Sequence, residues 1–186
     1  RYIFDIEANE LLQKVTKTWI VCVQDIDTDY IRYWLNGDEG WKAVFDEATL
    51  LVGHNICGYD LPVLKKLFDW EPPNTCEIKD TLIESLVLDY QRFPYKGHGL
   101  ATWGEFFEFP KGDFHDFSKY SEEMLDYCIQ DVRLTRKVYE FLEEELSDLA
   151  QRAPFISTYL EAEQYASTWA SMAELHGWPF NRKAAL

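Results

Sequence analysis

The sequence predicts an α/β fold in which helices flank a mixed β-sheet. Three strand-like segments, rich in β-branched and aromatic residues, open the chain. Helical segments and one further short strand follow them. The chain has 186 residues, of which 47% are hydrophobic, so it can bury a good core and suits one domain, or one domain with an extension.

The predicted strands are largely apolar runs bounded by turn residues. The first begins at Arg1, and the sequence DTD turns the chain between the second and the third. The fourth is the short buried segment TLLVGHN, which ends at Asn55. In chain order the four predicted strands cover residues 1–6, 18–26, 29–35 and 49–55.

The predicted helices have apolar residues at helical spacing and lie between segments rich in Gly, Pro or Asp. Pro72 and Pro73 break the chain after the second helix. Ser121 is the expected N-cap of the longest helix, and acidic residues follow in its first turn, where they favour the helix dipole. In chain order the predicted helices cover residues 40–48, 61–68, 80–90, 100–107, 122–146 and 155–174.

Composition excludes several classes of protein. A net charge of −15 excludes a protein that grips nucleic acid with a broad basic surface, but not an enzyme that holds a short single strand through metals and a few local contacts. The four cysteines form no Cys-x-x-Cys pair, so neither a zinc site nor a disulfide framework is indicated. No apolar run reaches membrane-spanning length and no secretory signal opens the chain, so we expect no membrane contact and a reducing, cytoplasmic setting.

Four acids and one tyrosine are the candidate catalytic residues. Asp5 and Glu7 lie two residues apart on the first strand, so both point to one side of the sheet, where their repulsion requires a positive partner. Asp60 follows the fourth strand at the start of a helix. Tyr127 and Asp131 share one face of the longest helix. Taken singly, these features also suit a solvated edge, a helix cap and a surface pair.

The order of the motifs is more specific than any one of them. Asp-x-Glu on the first strand, Asn-x-x-x-Tyr-Asp after a later strand and Tyr-x-x-x-Asp in a late helix together resemble the DEDD exonuclease superfamily. This resemblance implies a ribonuclease H-like fold and removal of nucleotides from 3′ ends. It also implies the tyrosine branch, because Asp126 stands where the histidine branch has its His.

A narrower resemblance covers most of residues 1–150. The segments DIEANELL, HNICGYDLPVL, KDTLIESLVL, HGLATWG and DYCIQDVRLTRKV are similar, in order, to the 3′-5′ proofreading domains of bacteriophage family A DNA polymerases. Segments near Pro94 and Gly112 look shorter than in that family. LHGWPFN, at 175–181, resembles the junction to a polymerase domain, so residues 151–186 are predicted to be a helical extension. The chain is either a piece of a longer polymerase or a separate exonuclease.

Phosphodiester hydrolysis requires an activated water and charge relief, which two Mg²⁺ (or Mn²⁺) ions held by carboxylates supply. By the resemblance, Asp5 bridges both ions, and Glu7 and Asp131 complete the site that binds the attacking water. Asp60 helps to hold the second ion through water. Tyr127 orients the attacking water; its phenol, with an ordinary pKa near 10, is not expected to act as a full base.

Two further residues are candidates for substrate binding. Leu11 lies where related domains carry an apolar wedge against the terminal bases, and packing in the core beside Leu12 is the alternative. Asn55 is placed to contact the substrate strand. Trp103 and the other tryptophans are expected in the core. Structural or surface roles are expected for three histidines: His54, His98 and His115.

The leading hypothesis is a metal-dependent 3′-5′ exonuclease that acts on single-stranded or frayed DNA ends and proofreads for a family A polymerase, in cis or in trans. We expect a monomer, in the host cytoplasm if a phage encodes it. An RNA-trimming exonuclease is the alternative within the same branch, since the catalytic acids do not identify the sugar. A catalytically inactive interaction module is the alternative outside it, but all four acids and the tyrosine are present.

Overall fold

A mixed β-sheet forms the centre of the protein, as the sequence predicts. The structure is a computed structural model that describes residues 1–109, 112 and 114–177. In this part of the chain the strands are β1 (Tyr2–Ala8), β2 (Thr18–Asp25), β3 (Ile31–Leu35), β4 (Leu50–Gly53) and β5 (Glu77–Asp80). The strand order is β3-β2-β1-β4-β5. The β1–β2 and β2–β3 pairs are antiparallel, whereas the β1–β4 and β4–β5 pairs are parallel.

Each predicted helix is present, with ends that differ by a few residues. The helices are α1 (Trp41–Asp46), α2 (Asp60–Phe68), α3 (Thr81–Leu88), α4 (Leu100–Phe106), α5 (Glu122–Ala150) and α6 (Ile156–His176). The largest difference is at the end of α5, which continues past the predicted end at Leu146. The predicted boundary at residue 150 coincides with the end of α5; the division into two domains stays a prediction.

Strand β5 is the element that the sequence analysis missed. Its four residues, Glu77 to Asp80, include three charged side chains and show no apolar alternation. The strand forms through parallel pairing with β4, in which Leu50 is opposite Glu77 and Gly53 is opposite Asp80. Asp80, the first residue of the predicted helix, ends β5 and is the N-cap of α3, where its side chain accepts the N–H of Leu82.

The sheet has a hydrophobic core on each face. Phe4 and Ile6 of β1 belong to a cluster with α1 and α2, whereas Ile3 belongs to a cluster with α5. Because successive strand residues point to opposite faces, Asp5 and Glu7 share the face of Ile3 and point toward α5. The alternation of β1 thus decides which helix completes the acidic site.

A third cluster fixes α4 against α5. Trp103 is fully buried there beside Leu134, Val138 and Leu142, as expected for a core tryptophan. The same expectation is wrong for Trp169, which lies on α6 with 60% of its surface exposed.

Helix α6 packs on the rest of the fold through few side chains. Its buried residues are Leu160 and Gln164. In the predicted junction segment at 175–181, the residues from 178 onward lie outside the described part of the chain. No helix among the described residues combines the length and the apolar character needed to cross a bilayer.

Ser121 is the N-cap of α5, as predicted. Its hydroxyl accepts the N–H of Met124 at 3.2 Å, and Glu122 and Glu123 occupy the first turn. Removing the hydroxyl in Ser121→Ala should lower the free energy of unfolding by about 1 kcal/mol, measured by urea denaturation. Ser147→Ala, at an exposed site inside the same helix, is the matched control and should change stability by less than about 0.5 kcal/mol. Equal losses in the two variants would contradict the cap.

Candidate active site

Asp5 and Glu7 lie beside Cys128 of α5. Glu7 and Cys128 are buried, and Asp5 is half-buried. Ligand atoms of the three side chains lie within 4.8 Å of one another, which is a spacing that could hold a metal ion. The Cys128 thiol donates to Asp5 Oδ2 at 3.5 Å. The predicted pairing of Asp5 with Glu7 on one face of β1 is therefore present, and a sulfur atom accompanies the two carboxylates.

Asp60 contacts the β1 backbone between the two acids of the pair. Strand β4 pairs with β1 only at Tyr2 and Ile3, so the β1 backbone beyond them is free to meet the start of α2. Asp60 Oδ1 accepts the N–H of Ile6 at 3.1 Å, at the residue between Asp5 and Glu7. Burial raises the pKa of Asp60 well above its ordinary value and the charge of Asp5 raises it further, while the Ile6 N–H opposes both. Asp60 is thus held in place by the strand that carries the acidic pair.

Helix α5 supplies Tyr127 and Asp131. Cys128 contacts Asp5, and Asp131 follows Cys128 by three residues on the buried side of α5. Tyr127 is half-buried, and its ring packs near Phe114 and Phe117, with centroid separations of 5.8 and 6.3 Å. The predicted sharing of one helix by the phenol and the carboxylate is present, and aromatic packing fixes the phenol.

Glu7, Tyr127, Leu11 and Asn55 line one cleft of about 1150 Å³. Leu11 is 73% exposed there, whereas Leu12 is buried in the core. The interpretation of Leu11 as a core residue beside Leu12 is therefore wrong. A turn begins at Leu11, whose side chain is exposed, while that of Leu12 is buried. The cleft is also lined by 8–10, 12–13, 58–59, 115–118 and Glu174.

Two residues that the sequence analysis left without a role hold the segment with Leu11. Lys66 of α2 donates from Nζ to the carbonyls of Leu12 and Gln13 at 2.8 and 3.0 Å. The Tyr59 hydroxyl donates to the carbonyl of Glu10 at 2.8 Å. Tyr59 belongs to the Asn-x-x-x-Tyr-Asp motif, so the motif pointed to it. No sequence motif includes Lys66, and the carbonyls that it contacts lie more than 50 residues away in the sequence.

Asp80 is a buried anchor for the turn that carries Asn55. Its Oδ1 accepts the N–H of Asn55 at 2.8 Å and that of Leu82 at 3.0 Å, and its Oδ2 accepts the N–H of Cys57 at 2.9 Å. Its own N–H donates to Gln164 Oε1 of α6 at 2.7 Å. Burial raises the pKa of Asp80, and the backbone donors oppose that shift. Asp80 therefore connects α3 and α6 to one wall of the cleft.

Two of the histidines have the structural contacts that the sequence analysis expects. His54 Nδ1 lies 2.8 Å from Thr81 Oγ1. His98 is buried between Ser85 Oγ at 2.6 Å and the Tyr90 carbonyl at 3.1 Å. The third, His115, lines the cleft.

The fold is the ribonuclease H-like α/β fold that the motifs imply. Brucella melitensis NrnC bound to pGG superposes with a TM-score of 0.70 at 17% identity, covering 97% of this chain and 89% of NrnC. The same protein with bound Mg²⁺ gives a TM-score of 0.68 at 18% identity, covering 97% and 90%. The family B DNA polymerase of Pyrobaculum calidifontis gives 0.57 at 17% identity, covering 76% of this chain and 24% of the polymerase. At such identities the likeness establishes the fold alone.

A closer relationship comes from the sequence. The DNA-directed DNA polymerase of Enterobacteria phage T3 is 30% identical over an alignment 237 residues long, gaps included. The alignment covers 97% of this chain and 33% of the polymerase. That of Escherichia phage T7 is 29% identical, with the same coverage. No protein-family model matches. The chain spans about a third of the curated relatives, and its resemblance to phage DNA polymerases is confirmed.

The Asp80 anchor predicts a specific loss of stability. Asp80→Asn keeps the shape of the side chain but places an NH₂ group against one of the three N–H donors, which leaves a buried donor without an acceptor. We expect the free energy of unfolding to fall by about 2–3 kcal/mol in urea denaturation. We also expect faster hydrogen exchange at Asn55 and Cys57. Asp89→Asn, at an exposed carboxylate that accepts the N–H of Gln91, is the control and should cost less than about 1 kcal/mol. Unchanged exchange at Asn55 in Asp80→Asn would contradict the anchor.

Proposed function

We propose that the protein is a metal-dependent 3′-5′ exonuclease that hydrolyses single-stranded or frayed DNA ends. The observation that carries the proposal is that Asp60 bonds the β1 backbone at Ile6, between Asp5 and Glu7, and that Glu7 lines the cleft. Homology to phage DNA polymerases supports DNA as the substrate, and it supports proofreading for a family A polymerase domain, in cis or in trans, as the role.

The acids fit divalent cations of the magnesium class. Asp5 and Glu7 present carboxylate oxygens, the donors that Mg²⁺ and Mn²⁺ prefer, and the raised pKa of Asp60 beside Asp5 is relieved by positive charge. In the proposal Asp5, Glu7, Asp60 and Asp131 hold two ions. When bound, the two ions supply a hydroxide nucleophile and neutralise charge on the leaving oxygen.

Tyr127 orients the attacking water in this proposal. Its ring lies near Phe114 and Phe117, and it lines the cleft together with Glu7. A half-buried phenol held by two aromatic rings has few orientations available. Its hydroxyl therefore serves as a fixed hydrogen-bond partner for a water beside Glu7.

Leu11 and Asn55 bind the substrate strand in this proposal. Leu11 is an exposed apolar side chain on a segment fixed by Lys66 and Tyr59, so it can pack on a terminal base without losing its own order. Asn55 lines the same cleft from the turn that Asp80 anchors. Apolar and amide contacts of this kind do not require the broad basic surface that a chain of net charge −15 lacks.

A second candidate is trimming of short RNA or other short oligonucleotides. The fold likeness to NrnC bound to pGG favours it. Parallel digestion of DNA and RNA strands of one sequence separates the two candidates. The polymerase homology, at higher identity, is the reason for proposing DNA as the first candidate substrate. In both cases the protein acts as a monomer in the cytoplasm, which is the host cytoplasm if a phage encodes it.

Substitution separates metal ligand from water positioner. Tyr127→Phe keeps the ring and removes one hydrogen bond, so single-turnover digestion of end-labelled single-stranded DNA should slow by about 10²–10³-fold at most. Asp5→Ala removes the bridging ligand and should slow digestion considerably more. Tyr159→Phe, on the exposed side of α6, is the control and should keep wild-type activity.

The same assay tests the metal. Digestion by the wild type should require Mg²⁺ or Mn²⁺ and stop in excess chelator. Digestion that continues after complete chelation, or near-full activity of Asp5→Ala, would overturn the site assignment.

Substrate form follows from charge. With Mg²⁺ held constant, initial rates on subsaturating single-stranded DNA should fall less than about tenfold between 50 and 200 mM salt, because few phosphates meet Lys or Arg. Blunt duplex of the same sequence should be digested more slowly, and mismatched 3′ ends should restore the rate. Rapid attack on blunt duplex with a steep salt dependence would contradict this form of binding.

A further inference from the structure

The donor set beside Asp5 includes one atom that is not a carboxylate oxygen. The ligand atoms within 4.8 Å of one another are two carboxylate oxygens and the sulfur of Cys128. Magnesium and manganese prefer oxygen, whereas thiolate sulfur selects softer metals such as zinc. A search of the sequence for Cys-x-x-Cys pairs does not find this mixed group of sulfur and oxygen donors, because the fold brings its members together from distant positions.

One distance within this group matches a tetrahedral cation. Around zinc, a Zn–S bond of about 2.3 Å and a Zn–O bond of about 2.0 Å place sulfur and oxygen about 3.5 Å apart. Cys128 Sγ and Asp5 Oδ2 are 3.5 Å apart. Glu7 supplies a third donor and also lines the cleft, from which solvent can supply a fourth ligand. Three protein ligands with one open position are the usual arrangement of a reactive zinc site.

The elements that carry the three donors are rigid. Asp5 and Glu7 lie on the central strand, where both residues pair with β2, and Cys128 lies inside the 29-residue helix α5. Cys128 is fully buried in the core between the sheet and α5, together with Cys22. A cation therefore meets donors that regular secondary structure holds in place.

We propose that Cys128 makes this centre a site for a thiophilic divalent cation of the zinc class, held by Asp5, Glu7 and Cys128. This inference rests on the metal-binding part of the proposed function. The metal–sulfur bond forms as the thiol releases its proton to solvent. Because the cation occupies Asp5 and Glu7, it competes with the magnesium ions that hydrolysis needs. Cys128 thus determines the metal preference of the site, and zinc inhibits magnesium-dependent digestion.

The test uses Co²⁺ as a spectroscopic substitute for zinc in the full chain. Bound Co²⁺ should give a sulfur-to-metal charge-transfer band in the near ultraviolet with the wild type and with Cys76→Ser, a control at a half-buried cysteine in another part of the fold. Cys128→Ser should lack the band. Its affinity for Zn²⁺, from competition titration, should fall by more than the roughly 10–100-fold that loss of an outer-shell partner costs. Its affinity for Mg²⁺ should change less, since Asp5 and Glu7 remain.

The outcomes separate this inference from the proposed function. Magnesium-dependent digestion by a wild type that binds Co²⁺ without a sulfur band overturns the inference and leaves the proposed function intact. A band that persists in Cys128→Ser also overturns it. Failure to bind Mg²⁺, Co²⁺ or Zn²⁺ overturns both. Circular dichroism checks that each variant folds, and Cys128→Ala replaces Cys128→Ser if the hydroxyl is not tolerated. If both variants are unfolded, a Cd²⁺–sulfur band in the wild type that Zn²⁺ displaces and Mg²⁺ does not supports the inference, and the lack of such a band overturns it.

Discussion

Crowding of buried carboxylates around β1 is the constraint on which the rest of the structure depends. Glu7, Asp60 and Asp131 are each less than a tenth exposed, and Asp5 lies half-buried among them. Like charges at such positions repel and lose hydration, so the fold must hold them against a free-energy cost. It does so with a central strand paired on both sides, a core on each face of the sheet and the N–H of Ile6 as a donor to Asp60.

Hydrogen bonds from buried or half-buried side chains shape the cleft beside these acids. Asp80 satisfies three backbone donors and ties the Asn55 turn to α3, while Gln164 of α6 accepts its N–H. Lys66 performs a similar task for the segment that carries Leu11. Each anchor joins segments that have no regular pairing with each other, so the loop segments in the walls of the cleft are held in place by side-chain hydrogen bonds.

Features with a local pattern were predictable, and features made by distant residues were not. Apolar periodicity located the helices and four of the strands, and the order of the acidic motifs indicated the fold that the comparison with NrnC confirms. Strand β5 was missed because its charged residues pair only when β4 is present. Cys128 was missed because its partner Asp5 lies 123 residues away, and Lys66 because its partners lie more than 50 residues away. Leu11 and Leu12 could not be told apart by type, since only the turn between them decides which is buried.

The long separation between Asp5 and Cys128 also orders events during synthesis. The first strand leaves the ribosome before α5, which carries Cys128 and Asp131 and follows more than a hundred residues later. Contacts of such large sequence separation form late, after the loops between them have closed. Until then Asp5 and Glu7 remain hydrated and lie apart from their partners on α5. A nascent or truncated chain therefore carries the acids without the centre, and the complete site appears only once the domain has folded.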